Sequence, residues 1–150
     1  MTIPAISIVV PLYNKAAYVG DALTSIAAQS FDDYEVIVVD DGSTDEGAEV
    51  VKRSGVPRLN LVQQANRGVA AARNRGVELA QAGLVAFLDA DDTWNIHHLR
   101  HLHELHRRYP SAALYANDFV EQGKRNRTAA QQPGLAQYRL VDDYIAEAAT

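Results

Sequence analysis

Short apolar runs alternate with amphipathic stretches along the first two thirds of this chain. Continuous apolar runs rich in β-branched residues predict strands buried on both faces, over residues 6–10, 34–39, 59–62 and 84–88. Between them, apolar residues recur at helical spacing, which predicts helices over residues 17–29, from 43–45 to 53, 69–80, and from the acidic segment at 89–92 to 109. Strands that alternate with helices predict an α/β fold with a mostly parallel sheet and helices on both faces.

Turn and cap residues refine these boundaries. Ser43, Thr44 and Asp45 are N-cap candidates for the second helix, and Gly83 is the expected C-cap of the third. We expect Asn66 and Gly68 to shape the turn before the third helix. After Pro110 the pattern predicts a fifth strand, a polar loop and a last short helix, over residues 112–115, 124–133 and 141–148 respectively.

Length, composition and charge limit the kinds of partner that the chain can have. The chain has 150 residues, of which 47% are apolar and 22% charged, as expected for one soluble domain with one core. Its 14 basic and 19 acidic residues give a net charge of −5, which disfavours a nucleic-acid partner bound through a basic face. The same charge is compatible with a small anionic ligand held by a metal ion.

Cysteine usage and hydropathy indicate the compartment. The chain has no cysteine, so disulfides and thiolate metal sites are excluded. Residues 1–15 lack the basic region of a signal peptide, and no run approaches the roughly 18 apolar residues of a membrane span. We expect no transmembrane segment and a cytoplasmic location, either free or peripheral to the inner face of the membrane.

Acidic residues follow two of the predicted strands. Asp40 and Asp41 end the second strand, and Asp89, Asp91 and Asp92 follow the fourth. Ligands of parallel sheets bind beyond the carboxyl ends of the strands, so these carboxylates are expected at one rim. Because clustered carboxylates repel, they need a cation or well-placed hydrogen-bond donors, and a hard divalent ion would also bind phosphate oxygens. The alternative, helix capping, accounts for one carboxylate at each strand end but not for three.

Several familiar sites do not fit these residues. An EF-hand loop beginning at Asp89 would need Asp or Asn at Thr93 and Gly at Trp94. The glycine-rich dinucleotide fingerprint is absent after the first strand, and no phosphate-binding P-loop string occurs. Response regulators carry an acidic pair after the first strand, where this chain has Pro11.

The chain resembles family 2 glycosyltransferases in three successive segments, SIVVPLYNKAAYVGDALTSIAAQSFDDYEVIVVDDGSTD, NRGVAAARNRG and VAFLDADDTW. Each segment alone is a weak signal, but their order and spacing together are specific. The resemblance implies a GT-A fold, the Rossmann-like fold of nucleotide-diphospho-sugar transferases. It also implies an enzyme of polysaccharide or cell-wall synthesis that transfers a sugar from such a donor to an acceptor hydroxyl, with inversion.

The resemblance assigns residues to the nucleoside. Pro11 and Tyr13 would line the base pocket, with Tyr13 stacking on the base; the alternative for Tyr13 is a half-buried packing aromatic. Asp41 would accept a hydrogen bond from a base ring N–H, with Asp40 beside it. Uracil offers such an N–H, so a UDP-sugar is the favoured donor.

The resemblance also assigns residues to the diphosphate. Asp89-Ala90-Asp91 would be the family's D-x-D motif, with Asp91 binding Mn²⁺ or Mg²⁺ and Asp89 near the ribose. Asp92 extends the motif, and the sequence does not divide the metal binding between Asp91 and Asp92. Arg73 would approach the diphosphate, where a guanidinium suits phosphate oxygens. The alternative is an ion pair with Glu78 or an acidic rim residue.

All five histidines lie between His97 and His106. Their spacing places pairs on one helical face, which could hold zinc. Because Leu99, Leu102 and Leu105 form the buried stripe, we instead expect the histidines on a solvated face. Trp94 is expected to be a packing anchor under the acidic loop, with a substrate platform as the alternative.

The resemblance does not identify a catalytic base in this chain. In the family, the base and most of the acceptor site follow the D-x-D motif, and the late acids Glu121, Asp142 and Asp143 stand in no recognisable context. We therefore expect one domain over residues 1–150 that lacks part of its acceptor side, with a carbohydrate or lipid-linked acceptor. Exposed apolar surface would then favour a homodimer. Two alternatives are a nucleotide-sugar-binding fragment without turnover and a nucleotidyltransferase of similar fold.

Overall fold

The computed structural model describes residues 3–115. The predicted loop at 124–133, the predicted helix at 141–148 and the late acids Glu121, Asp142 and Asp143 lie outside the described residues. The chain divides into two compact units, Met1–His103 and Glu104–Thr150. The four described strands and the first three described helices belong to the first unit.

Strands and helices alternate through the first unit. The strands are β1 (Ile6–Leu12), β2 (Tyr34–Asp40), β3 (Leu59–Gln63) and β4 (Leu84–Phe87), and the helices are α1 (Val19–Ala27), α2 (Gly47–Arg53), α3 (Val69–Leu79) and α4 (His98–Arg108). All pairings are parallel, and the strand order is β3-β2-β1-β4. The predicted α/β architecture is therefore confirmed. None of the helices in the described part of the chain has the length and apolar character that crossing a bilayer requires.

Helices cover both faces of the sheet. Because side chains alternate along β1, successive residues of this strand meet helices on opposite faces. Val9 faces α3, where a Cβ on Gly76 would clash with Val9 Cγ1, so only glycine permits this close approach. Leu12 points to the opposite face and lies against Gly47 of α2. Every residue of β1 and β2 is buried, as their continuous apolar sequences predict.

Three local predictions are wrong. No strand forms at 112–115, because the Ala112 N–H donates to the Tyr109 carbonyl and closes a turn around Pro110. Gly83 is not the C-cap of α3; the helix ends at Leu79 and the extended Ala80 follows it. The N-cap of α2 is Glu46 rather than Ser43, Thr44 or Asp45. The carboxylate of Asp45 instead accepts hydrogen bonds from the N–H groups of Ala16 and Gly47.

Helix α4 also differs from the expectation. It begins at His98, so residues 92–97 form an irregular connection after the acidic segment. Its histidines are mostly half-buried rather than solvated, because aromatic rings pack against them. His98 stacks on Trp94 at 4.5 Å between ring centroids, and His103 packs on Phe31 at 4.9 Å. Burial, and secondarily the neighbouring His101, lowers the pKa of His98 to about 4.

Candidate functional site

The strand order creates a crevice beside β1. The chain runs from β1 to β2 to β3 in one direction and then crosses back to place β4 on the other side of β1. Such a reversal opens a crevice at the carboxyl ends of the strands, the usual ligand site of these sheets. A cleft of about 450 Å³ lies here, which we call the switch-point cleft. It is lined by Pro11, Leu12, Tyr13, Lys15, Asp41, Asn66, Gly68, Val69, Ala72, Asp89, Ala90 and Asp91.

The loop after β1 is held in shape by the loop after β2. Asn14 adopts a left-handed backbone conformation with φ of 51°, a region that asparagine tolerates better than most residues. Its side-chain oxygen accepts a hydrogen bond from the Thr44 N–H, and its own N–H donates to the Ser43 hydroxyl. The neighbouring Tyr13 is 47% exposed and lines the cleft. An aromatic ring presented in this way is available for stacking on a flat ligand.

Asp41 is buried and both oxygens of its carboxylate accept hydrogen bonds. One oxygen accepts from the Gln64 side-chain amide and the Arg67 N–H, and the other accepts from the Gly68 N–H at 2.7 Å. Burial alone would raise its pKa, but these three donors outweigh that effect and hold the pKa below its ordinary value. Asp41 is thus a carboxylate anion at working pH and ties the turn before α3 to the end of β2.

Asp40 lies beside Asp41 but does not line the cleft. Its carboxylate accepts hydrogen bonds from the Ser43 N–H and the Gln63 side-chain amide, both at 2.9 Å. Burial acts to raise the pKa of Asp40, and these hydrogen bonds lower it below the ordinary value. Gly42 turns the chain between the two loops with φ of +77°, and a Cβ there would lie 2.9 Å from the Asn66 nitrogen. Asp40 therefore shapes the loop after β2 and lies outside the cleft lining.

The two aspartates of the Asp89-Ala90-Asp91 segment each hold a cationic side chain. Arg73 Nη2 lies 2.6 Å from Asp89 Oδ1, and Lys15 Nζ lies 2.6 Å from Asp91 Oδ2. The hydrogen bond from Lys15 lowers the pKa of Asp91, and the same bond raises the pKa of Lys15. The predicted alternative for Arg73, an ion pair with an acidic rim residue, is thus present, while Glu78 pairs with Arg75.

Asp92 lies outside the cleft lining, near the carboxylates of Asp89 and Asp91. Burial, followed by the charges of Asp91 and Asp89, raises its pKa. Among residues 3–115, no group of three or more Asp, Glu or His side chains is arranged to hold a metal ion. Two carboxylates on the cleft nevertheless fit an ion such as Mn²⁺ or Mg²⁺, which takes one or two carboxylates and completes its shell with phosphate oxygens and water.

The structure adds cleft residues that the sequence analysis did not single out. Lys15 follows Tyr13-Asn14 directly. It could have been found as a basic residue in a loop at the same rim as the acidic strand ends. Val69 and Ala72 form part of the wall from the first turns of α3, where they resembled ordinary helix residues. Asn66 was expected only to shape the turn, and it also lines the cleft.

Comparison with known proteins identifies relatives of this chain. Residues 7–147 match the family described as Glycosyl transferase family 2. An uncharacterized glycosyltransferase of Nostoc sp. is 39% identical over 103 residues, which cover 67% of this chain and 32% of that protein. The chain thus spans about a third of that relative's length.

Two solved structures share the fold. S. aureus TarS 1–349 in complex with UDP-GlcNAc has 33% sequence identity and a TM-score of 0.67, over 71% of this chain and 32% of that one. The mannosyltransferase PcManGT from Pyrobaculum calidifontis, in complex with GDP-Man and Mn²⁺, has 33% identity and a TM-score of 0.58. That match covers 63% of this chain and 29% of the other.

Proposed function

Because this chain belongs to glycosyl transferase family 2, we propose that it binds a nucleotide-diphospho-sugar, with a UDP-sugar favoured, in the switch-point cleft. The sugar is transferred to an acceptor hydroxyl on a carbohydrate or lipid-linked acceptor. The observation that supports this proposal is the convergence of Tyr13, Asp41 and Asp91 on one cleft. These residues come from the ends of three different strands, β1, β2 and β4, and each offers a different contact to a nucleotide.

The nucleoside end of the proposed ligand lies at Tyr13 and Asp41. Tyr13 offers an exposed ring for stacking, a contact worth about 1–3 kcal/mol per base. A carboxylate has roughly four acceptor positions, and protein donors fill three of those on Asp41. One acceptor position remains for a base ring N–H, such as that of uracil.

The diphosphate end lies at Asp89, Asp91 and Arg73. A divalent cation held by Asp91 would, when bound, neutralise charge on the leaving diphosphate as a Lewis acid. The Arg73 side chain is 39% exposed, so its guanidinium is accessible to a phosphate oxygen. In the inverting transfer, the acceptor oxygen bonds to C1 of the sugar as the bond from C1 to the diphosphate oxygen breaks. A base removes the acceptor's proton, and none of the described residues is assigned that role.

A panel of nucleotides tests this proposal by thermal unfolding of the chain in MnCl₂. UDP and UDP-sugars should raise the melting temperature by several degrees. A ligand at 100 times its Kd stabilises the folded state by about 2.7 kcal/mol, and for a chain of this size that free energy raises the melting temperature by several degrees. GDP and GDP-Man should stabilise less.

Two variants make the panel specific to the cleft. Tyr13→Ala should reduce the shift caused by UDP, whereas Tyr109→Ala, an exposed tyrosine outside the cleft, should leave it unchanged. A larger shift with UTP than with any UDP-sugar would favour a nucleotidyltransferase. Stabilisation by UDP-sugars without transfer by the whole protein would favour a binding module. No shift with any nucleotide would contradict all three functions, the glycosyltransferase, the nucleotidyltransferase and the binding module.

A further inference from the structure

The cation that would bind Asp91 has an internal competitor. Lys15 Nζ lies 2.6 Å from Asp91 Oδ2, and the side chains are 40% and 43% exposed respectively. Lys15 extends from the loop after β1, while Asp91 belongs to the segment after β4, so their ion pair crosses the mouth of the switch-point cleft. The two residues are thus joined directly across the position proposed for the diphosphate.

Lys15 and a divalent metal ion would compete for the same carboxylate. The ammonium donates its hydrogen bond to Asp91 Oδ2, and a metal bonded to that carboxylate brings at least two further positive charges close to it. Both cations cannot therefore remain at Asp91 without strong repulsion. Lys15 is the weaker partner, since its flexible stem lets it leave and, within residues 3–115, its ammonium otherwise lies only over the Tyr18 ring at 5.6 Å.

Arg73 is a less suitable competitor. Its guanidinium bonds to Asp89, and its Nε is buried although the side chain as a whole is 39% exposed, so displacing Arg73 would require moving that buried atom. The Lys15 ammonium ends a flexible four-carbon stem, and a diphosphate entering the cleft offers new negative charge to replace that of Asp91. The exchange therefore leaves the ammonium satisfied only when nucleotide and metal arrive together.

On the basis of the proposed function, we propose that Lys15 is a positioning residue that occupies the cation site on Asp91 and yields it to a divalent metal when the nucleotide diphosphate binds. Metal binding without nucleotide is therefore weakened, and the two ligands bind cooperatively. By linkage, the nucleotide tightens the metal by the same factor as the metal tightens the nucleotide.

The test measures Mn²⁺ affinity without nucleotide, from the electron paramagnetic resonance signal of free Mn²⁺. Lys15→Gln should bind Mn²⁺ roughly two- to fivefold more tightly than the unmodified chain, the range set by the free energy of an exposed ion pair. In saturating UDP the gain should disappear, because the ion pair is already broken there.

Two control variants separate the ion pair from general charge effects. Lys52→Gln breaks an exposed pair of the same length, Lys52–Glu49 at 2.6 Å, outside the cleft and should not change Mn²⁺ affinity. Arg67→Gln removes a positive charge near Asp41 without touching Asp91 and should tighten Mn²⁺ less than Lys15→Gln does.

The outcomes distinguish this inference from the proposed function. Equal Mn²⁺ affinity in Lys15→Gln and the unmodified chain, including no binding by either, would overturn the role of Lys15. Equal tightening by Arg67→Gln would do the same. If UDP binds neither with Mn²⁺ nor without it, the proposed function fails, whatever the nucleotide-free titration gives.

Discussion

Replacing Asp91 by asparagine should weaken UDP binding in Mn²⁺ by at least about tenfold while leaving the fold intact. The amide is a poor metal ligand, and even changes that only disturb a ligand's surroundings cost about 10–100-fold in metal affinity. The side chain is 43% exposed and its partner Lys15 is also exposed, so the lost ion pair contributes little to stability. Removing one of three neighbouring carboxylates also relieves repulsion.

Calorimetric titration of UDP in MnCl₂ measures the binding, and thermal unfolding measures the stability. Asp33→Asn is the matched control, because Asp33 forms an exposed ion pair with Arg58 at 3.3 Å away from the cleft. It should leave UDP affinity unchanged. A large fall in the melting temperature of Asp91→Asn, with UDP binding retained, would show that Asp91 is structural and is not the metal ligand.

The opposite behaviour is expected at Asp41, where asparagine should destabilise the fold by about 1–3 kcal/mol. An amide places an N–H₂ group where one carboxylate oxygen stood, so it faces either the donors of Gln64 and Arg67 or the donor of Gly68. At least one buried donor is then left without an acceptor, and such a loss costs this amount. Asp32→Asn, at an exposed aspartate, should change stability by less than about 0.5 kcal/mol.

The penalty at Asp41 should depend on pH. The folded-state pKa of Asp41 is depressed, so its stabilising effect is fully present above the unfolded-state pKa of about 3.9 and is lost as pH falls through the lower folded-state pKa. The difference in unfolding free energy between the chain and Asp41→Asn should therefore be constant near neutrality and shrink in acid. Urea denaturation at a series of pH values measures it. A difference that grows on acidification would contradict this account of Asp41.

The sequence predicts the sheet and the rim of the site well because both depend on local pattern. The buried runs of β1 and β2 are continuous and β-branched, and a parallel sheet brings their carboxyl ends together. Asp41, Asp89 and Asp91 stand immediately after strands, so their presence on the switch-point cleft follows from the topology.

What the sequence could not predict depends on contacts between distant segments. Asp41 stands next to Asp40 in the sequence, yet only Asp41 lines the cleft, and its hydrogen-bond donors come from a segment 23 to 27 residues away. The pairing of Lys15 with Asp91 joins residues 76 positions apart. The missing strand at 112–115 has a local cause, since four apolar residues close behind Pro110 suit a turn as well as a short strand.

The dependence of UDP binding on a divalent cation tests the central claim most directly. Asp89 and Asp91 face the position proposed for an anionic diphosphate, and without a metal these carboxylates would repel it. UDP should be titrated calorimetrically into the chain once in MnCl₂ and once in EDTA, at the same ionic strength. The account predicts affinity at least about tenfold higher with Mn²⁺, a difference of about 1.4 kcal/mol or more. Equal affinity in the two titrations would contradict it.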